Sequence, residues 1–115
     1  MSYLLPSYLH TLRKRAGLSQ PDLAALLDLT ASALCRFENL SRRPTAELFV
    51  GTEVIFGHAA KDVFPGFYHD IEREIVNRAR AQFARLESKV DSASREKLRF
   101  LADIIERASQ INLKV

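Results

Sequence analysis

The side chains that could carry out covalent or metal chemistry are few in this sequence and widely separated. Cys35 is the single cysteine, and with no second cysteine to resolve a sulfenate it does not predict a redox sensor. The histidines His10, His58 and His69 lack the spacing of metal ligands. No Ser–His–Asp pattern, glycine-rich phosphate loop or pair of carboxylates stands out. We therefore expect no enzyme activity, no cofactor and no metal.

Arginine side chains offer the remaining chemistry, because their planar forks of N–H donors match phosphates and base edges. Arg36, Arg42 and Arg43 lie close together in the sequence, at the end of a predicted helix and in the loop after it. The net charge is only +3, made up of +1 over residues 1–57 and +2 over residues 58–115. This charge permits nucleic-acid binding without requiring it. The hypothesis of a nucleic-acid interface therefore depends on where these three arginines lie.

The segment that must position Arg36 is predicted to form two short helices joined by a tight turn. Ser19 is the predicted N-cap of the first helix, with Asp22 three residues later. The predicted apolar face of this helix consists of Leu23, Ala24, Leu26 and Leu27. Two helices joined by so short a turn must cross steeply, and Ala24 is small enough for the crossing point.

The second helix of this pair is predicted to begin after Thr30, its N-cap, and to end at about Asn39. Leu34 and Phe37 are three residues apart and are predicted to face inward. The residues predicted to face outward are Ala31, Ser32, Cys35 and Arg36. This pattern is typical of a helix-turn-helix whose second helix enters a DNA major groove.

The stretch from about Tyr8 to Phe64 resembles the phage-repressor-like (lambda-repressor-type, Xre/Cro-like) helix-turn-helix domains of bacterial transcription regulators. The resemblance rests on LRKRAGLSQ, the motif above, the RFEN that closes its second helix, and a later apolar helix ending in Phe-Gly. It implies an all-α, five-helix DNA-binding domain. The chain departs from the family pattern at two usual glycine positions, which hold Asp28 and Leu40.

The resemblance also implies roles for individual residues. Arg36 would read base edges, while Ala31 and Ser32 are so short that they would read little beyond a thymine methyl or one hydrogen bond. Gln20 would bind a phosphate at a helix N-terminus, and the loop arginines would contact the DNA backbone. The predicted DNA-binding set is Gln20, Thr30, Ala31, Ser32, Arg36, Asn39, Arg42 and Arg43. An ion pair between Arg13 and Glu38 is implied as a structural feature.

The rest of the predicted DNA-binding domain, residues 1–66, consists of three further helices. The first runs from Pro6 to Ala16, with an inward face of Leu5, Leu9, Leu12 and Ala16. The fourth is capped by Thr45 and ends at Gly57. A short fifth helix, about Ala60 to Phe64, ends at Pro65-Gly66.

Residues 67–115 are predicted to form a helical hairpin. Its long first helix, about Phe67 to Lys89, carries an apolar stripe of Ile71, Ile75, Ala79, Phe83, Leu86 and Val90. Ser94 is the predicted N-cap of the last helix, which extends to about Gln110. The apolar face of that helix spans roughly 160°, more than the ~100° that one partner helix requires. A second subunit is therefore expected to contact Leu101, Ile104, Ile105 and Ala108.

Composition agrees with an ordinary globular protein: 115 residues, 47% of them apolar and 27% charged. No stretch approaches the ~20 apolar residues of a membrane span, and the N-terminus lacks a signal-peptide pattern. A single cysteine suits a reducing cytoplasm, so we expect a cytoplasmic protein.

The resemblance predicts a sequence-specific, double-stranded DNA-binding transcriptional regulator, a repressor that acts as a homodimer on a two-fold symmetric site. The alternative is an antitoxin-type protein, whose C-terminal hairpin binds a partner protein such as a toxin while the N-terminal domain autoregulates. A gene for a small toxin beside this one, or a second small protein that co-purifies with it, would favour the alternative.

Overall fold

The structure is a computed structural model, and it describes the backbone of residues 7–89 and 91–113. All regular secondary structure in this part is helical, which confirms the predicted all-α class. The helices are α1 (Leu9–Arg15), α2 (Gln20–Leu26), α3 (Ala31–Glu38), α4 (Ala46–Phe56), α5 (Ala60–Val63), α6 (Pro65–Leu86) and α7 (Ser92–Leu113). The chain divides into two compact units between His69 and Asp70. None of the helices in the described ranges is both long and apolar enough to cross a membrane.

The N-termini of α2, α3 and α4 are capped by the side chains that the sequence predicts. The Ser19 hydroxyl accepts a hydrogen bond from the Asp22 amide at 3.1 Å, and the Ser19 amide donates to the Asp22 carboxylate at 2.9 Å. Thr30 accepts from the Ala33 amide at 3.0 Å, and Thr45 caps α4 in the same way. Each cap satisfies a backbone donor that the helix itself leaves unpaired.

A left-handed residue makes the turn between α2 and α3 possible. Asp28 has φ +57°, a conformation that Asp adopts more readily than most side chains. The Leu29 amide then donates to the Ala24 carbonyl at 2.8 Å, which closes the turn. Ala24 is buried on α2, the helix that contacts α3, and its place at the crossing point stays a prediction.

The described residues of the first unit form a single cluster of buried apolar side chains. Its members are Leu9, Leu23, Ala24, Leu34, Phe37, Leu48, Val63 and Phe64. The inward positions of Leu34 and Phe37 are therefore confirmed. Two other predictions were wrong: Leu26 is 62% exposed and Ala16 is exposed, while Arg13 takes a buried place on α1. The predicted start of the first helix at Pro6, and the inward position of Leu5, lie outside the described residues.

The end of α4 follows the prediction, but the start of α6 does not. Gly57 ends α4 with φ +73°, and its amide donates to the Glu53 carbonyl. Pro65 and Gly66 were predicted to end the fifth helix, but they form the first turn of α6. Proline is compatible with this position because the first turn leaves its backbone nitrogen without an intrahelical partner.

Small side chains dominate the buried positions of the second unit. Among the described side chains of this unit, the buried apolar residues are Val76, Ala79, Leu101 and Ala108. Ile75 was predicted to face inward but is 45% exposed, and Val76 takes the buried position beside it. Val90, the last residue of the predicted stripe, lies outside the described residues.

The N-terminus of α7 corrects another prediction. Ser94 does not cap this helix; it lies inside the first turn and is buried. Its amide donates to the Asp91 carboxylate at 2.7 Å, so Asp91 has the capping role. This hydrogen bond from the Ser94 backbone lowers the pKa of Asp91.

Candidate nucleic-acid interface

The outer surface of α3 is polar and basic. Ser32, Cys35 and Arg36 are exposed there, and Ala31 at the start of the helix is half-buried. The opposite side carries the buried residues Leu34 and Phe37. The helical period thus places Arg36 on the face that the core does not use.

The carboxylate of α3 is withdrawn from this outer face by an ion pair with α1. Arg13 Nε lies 2.7 Å from Glu38 Oε2, and both side chains are only 5% exposed. A second guanidinium nitrogen of Arg13 donates to the Leu18 carbonyl at 2.9 Å. The predicted pair between Arg13 and Glu38 is therefore confirmed. It removes the only negative side chain of α3 from the surface that carries Arg36.

Two further side chains complete the environment of Glu38. Gln20 Nε2 donates to Glu38 Oε1 at 3.0 Å, and His10 Nδ1 lies 3.5 Å from the same oxygen and 3.1 Å from Arg13 Nη2. Burial by itself raises the pKa of Glu38. Hydrogen bonds from Arg13 and Gln20, with the Arg13 charge, outweigh burial and hold that pKa below its usual value. Glu38 therefore stays ionised, and the buried Arg13 balances its negative charge.

Gln20 thus has a structural contact that its sequence position does not indicate. Its side chain is half-buried, and the amide nitrogen is directed to Glu38. The phosphate contact expected of Gln20 stays a prediction, and it would use the second N–H of that amide nitrogen or the backbone N–H at the α2 N-terminus.

The loop after α3 folds back on the end of that helix. Asn39 Oδ1 accepts from the Ser41 amide at 3.0 Å, and Leu40 has φ +57°. The Arg42 amide then donates to the Arg36 carbonyl at 3.2 Å. Leu40 therefore takes the left-handed conformation for which the resembling family uses glycine. Asn39 Oδ1 is used within the loop. A DNA contact by Asn39, which stays a prediction, would use the amide nitrogen Nδ2.

The two loop arginines each lie over an aromatic ring. The Arg42 guanidinium carbon is 5.1 Å from the centre of the Phe37 ring, and that of Arg43 is 5.1 Å from the centre of the Phe67 ring. Both arginine residues remain exposed. A cation over an aromatic face gains roughly 0.5–1 kcal/mol at an exposed site, so each ring restricts where its arginine points. Sequence reasoning did not identify Phe37 and Phe67 as supports, because Phe67 belongs to α6 and its contact with the loop is tertiary.

Exposed carboxylates flank the interface on the side of α2. Asp22 and Asp28 are both exposed. Hydrogen bonds with the Ser19 backbone and side chain lower the pKa of Asp22. The same hydrogen bonds form the capping box. The outer surface of α3 and its loop, residues 31–43, consequently carries three exposed arginines and no exposed acid, whereas the preceding turn is acidic.

The predicted dimer contacts lie on α7 and are largely covered within one chain. Leu101 and Ala108 are each only 8% exposed, and Ile104 and Ile105 are half-buried. Little of Leu101 and Ala108 is therefore left for a second subunit to cover. Phe100 is 63% exposed and lies four residues before Ile104.

The predicted DNA-binding residues other than Gln20 thus fall within one continuous stretch, from Thr30 to Arg43. In comparisons with known proteins, no family model, no curated protein and no solved structure matches this chain.

Proposed function

We propose that this chain is a sequence-specific, double-stranded DNA-binding transcriptional regulator, acting as a repressor and as a homodimer. The observation that carries the proposal is the charge arrangement of α3. Arg36, Arg42 and Arg43 are exposed on one helix and its loop, while Glu38 is turned inward and paired with Arg13. A surface that keeps its cations outside and its anion inside is suited to a polyanion.

The side chains of α3 favour a division of labour on DNA. Arg36 lies on the exposed face, where its fork can bind guanine O6 and N7 together. Ser32 lies one turn earlier and can make a single hydrogen bond. Arg42 and Arg43 lie over aromatic rings of their own chain, so the loop holds two positive charges in place. These charges would contact the phosphate backbone of DNA.

Duplex DNA fits these observations better than a single strand. Proteins that bind single strands stack bases on exposed aromatic rings. The aromatic residue of α3, Phe37, is buried, and its ring is covered by Arg42. A narrow helix with an exposed arginine and short polar neighbours instead has the dimensions and chemistry of a major-groove reader.

The dimer is the second part of the proposal. Two half-sites in successive major grooves lie about 34–36 Å apart, so two recognition helices need a fixed separation. Phe100 and Ile104 are four residues apart on α7 and share one face of it, and Phe100 is mostly exposed. This face offers more uncovered apolar surface than Leu101 and Ala108 do.

Selection of bound sites from a random duplex library tests the proposal. We expect a preferred sequence to emerge. Arg36→Ala should then weaken binding to that sequence by ~1–3 kcal/mol, about 5- to 150-fold, because it removes a bidentate base contact. Binding to random duplex should fall much less. Arg15→Ala, which removes an exposed arginine of α1, is the matched control and should leave the preference unchanged.

Three outcomes would contradict parts of the proposal. If the selection enriches no sequence, the chain does not bind DNA in a sequence-specific way. Equal losses on preferred and random duplexes would show that Arg36 touches only phosphate. A chain that sediments as a monomer both free and on a symmetric site would remove the homodimer.

A further inference from the structure

The most basic part of this chain is not the α3 surface. Residues 78–99 hold seven Lys or Arg and three Asp or Glu, a net charge of +4. The whole chain has a net charge of +3, so the remaining residues together carry −1. Positive charge is therefore concentrated in a stretch of 22 residues that the α3 surface does not include.

This charge lies on both sides of one short connection in the second unit. Residues 78–86 are the last part of α6, residues 92–99 are the first part of α7, and a short connection joins them. Both helical parts adjoin the same connection, so these side chains lie within about three helical turns of it. We call this surface the basic tip; its exposed arginines are Arg78, Arg80, Arg85, Arg95 and Arg99.

Most of these arginines have no acidic partner among the described residues. The exposed ion pairs of α6 are formed toward its N-terminal half, where Arg73 lies 3.9 Å from Asp70 and Arg78 lies 3.7 Å from Glu74. Among the residues that the structure describes, no carboxylate lies within ion-pair distance of Arg80, Arg85, Arg95 or Arg99. Asp91 is held at the N-terminus of α7 by the Ser94 amide. The positive field of the tip is thus only partly compensated.

The spacing of the arginines carries a local cost. Arg95 and Arg99 are four residues apart on α7, and like charges at this spacing destabilise a helix by roughly 0.2–0.5 kcal/mol. On α6, Arg78 and Arg85 are seven residues apart and also share a face. An anionic partner would convert this repulsion into attraction.

We propose that the basic tip binds the phosphate backbone of duplex DNA outside the bases read by α3. The inference rests on the proposed function, because it extends the same DNA complex to a second contact. Five of the seven cations are arginines, whose forks suit phosphate oxygens. An amphipathic membrane contact would need apolar side chains beside the cations. Within the described part of residues 78–99, no large apolar side chain is exposed; the exposed Phe100, which adjoins this range, lies on the face of α7 that the proposed dimer would cover.

A backbone contact of this kind is independent of sequence. It adds affinity and salt dependence to binding on every duplex and leaves the preference among sequences unchanged. In this respect the tip differs from Arg36, whose removal changes the preference. The two contributions can therefore be separated by experiment in the full chain.

The experiment compares two triple variants that lose the same net charge. The tip variant is Arg80→Gln, Arg85→Gln and Arg99→Gln. The control variant is Lys61→Gln, Arg73→Gln and Arg107→Gln, which removes three exposed cations outside both the tip and the α3 surface. Circular dichroism establishes that both variants remain helical. Binding to a long random-sequence duplex is then measured across a series of salt concentrations.

We expect the slope of log affinity against log salt to flatten by about two to three units in the tip variant, at about 0.9 per lost phosphate contact. The control variant should keep the wild-type slope. The ratio of affinities for the selected site and the random duplex should be the same in wild type and tip variant.

The other outcomes overturn the inference in distinguishable ways. If the wild-type chain binds no duplex, the proposed function and the tip contact both fail. If wild type selects a sequence but the tip and control variants share one salt slope, only the tip contact fails. If the tip variant loses binding to vesicles containing phosphatidylserine while its duplex slope is unchanged, the tip is a membrane contact and the inference is wrong.

Discussion

The two units of this chain are stabilised in different ways. The first unit buries Phe37 and Phe64 together with six aliphatic residues, and it adds an ion pair whose side chains are both 5% exposed. Among its described residues the second unit buries Val76, Ala79, Leu101 and Ala108; of its two phenylalanines, Phe83 is half-buried and Phe100 is 63% exposed. Hydrophobic stabilisation grows with the apolar area removed from water. The first unit therefore depends on its own core, whereas the second gains less from burial within the chain.

Leucine truncation in each unit should give the largest effect and the clearest contrast. Leu34→Ala should lower the free energy of unfolding by ~3–5 kcal/mol, because Leu34 is fully buried beside Phe37 and would leave a cavity. Leu101→Ala should cost about 2 kcal/mol, since a less enclosed site relaxes more readily. Chemical denaturation followed by circular dichroism measures both. Equal losses would contradict the comparison.

The buried ion pair should make the stability of the first unit sensitive to acid. The folded-state pKa of Glu38 is lowered, so its stabilising contribution is fully present above the unfolded-state pKa, near 4.5. That contribution is lost as the pH falls below this value and through the folded-state pKa. Glu38→Gln should cost about 3 kcal/mol at neutral pH, because Arg13 is left buried and without its charge partner, and should reduce the acid sensitivity.

An exposed pair of the second unit supplies the control for this prediction. Glu74→Gln removes the partner of Arg78, but both side chains are more than half exposed, so the cost should be under about 0.5 kcal/mol. The free energy of unfolding, measured as a function of pH, distinguishes the two variants. Parallel pH curves for wild type and Glu38→Gln would show that the ion pair does not govern acid sensitivity.

The smallest expected effect concerns the turn between α2 and α3. Asp28→Gly should stabilise the first unit by about 0.5–1 kcal/mol, because glycine adopts the observed φ of +57° without the strain of a side chain. Asp28→Ala should give no such gain, since alanine keeps the strain and loses the polar side chain. Thermal unfolding of both variants checks this. A stabilising Asp28→Ala would mean that charge and not backbone conformation matters at this turn.

Local features of the fold were the ones that sequence could predict. Ser19, Thr30 and Thr45 cap helices because their hydroxyls reach amides three residues away, whatever surrounds them. Leu26 and Ile75 were misplaced because both lie within apolar helical patterns whose boundaries are decided by neighbouring helices. Ser94 was misplaced because Asp91, three residues earlier, is an equally good cap and the choice between them depends on which residue is buried.

In the candidate site, too, local features could be predicted from the sequence and tertiary contacts could not. The exposed position of Arg36 follows from the helical period once Leu34 and Phe37 face inward. The contacts of Arg42 and Arg43 with Phe37 and Phe67 could not be predicted, because they depend on where the loop returns over the core. For the same reason, the contact of Gln20 with Glu38 across 18 residues was missed.

The position of Cys35 has a practical consequence for handling this protein. Cys35 is the only cysteine and is exposed on α3 next to Arg36, so a disulfide between cysteines of this protein must join two chains. A disulfide brings the two Cα atoms to within about 7 Å, which would set two α3 helices against each other. Air-oxidised material would then be a covalent dimer with both α3 surfaces covered. Preparations kept in reductant, or made with Cys35→Ser, avoid mistaking that product for an inactive or naturally dimeric protein.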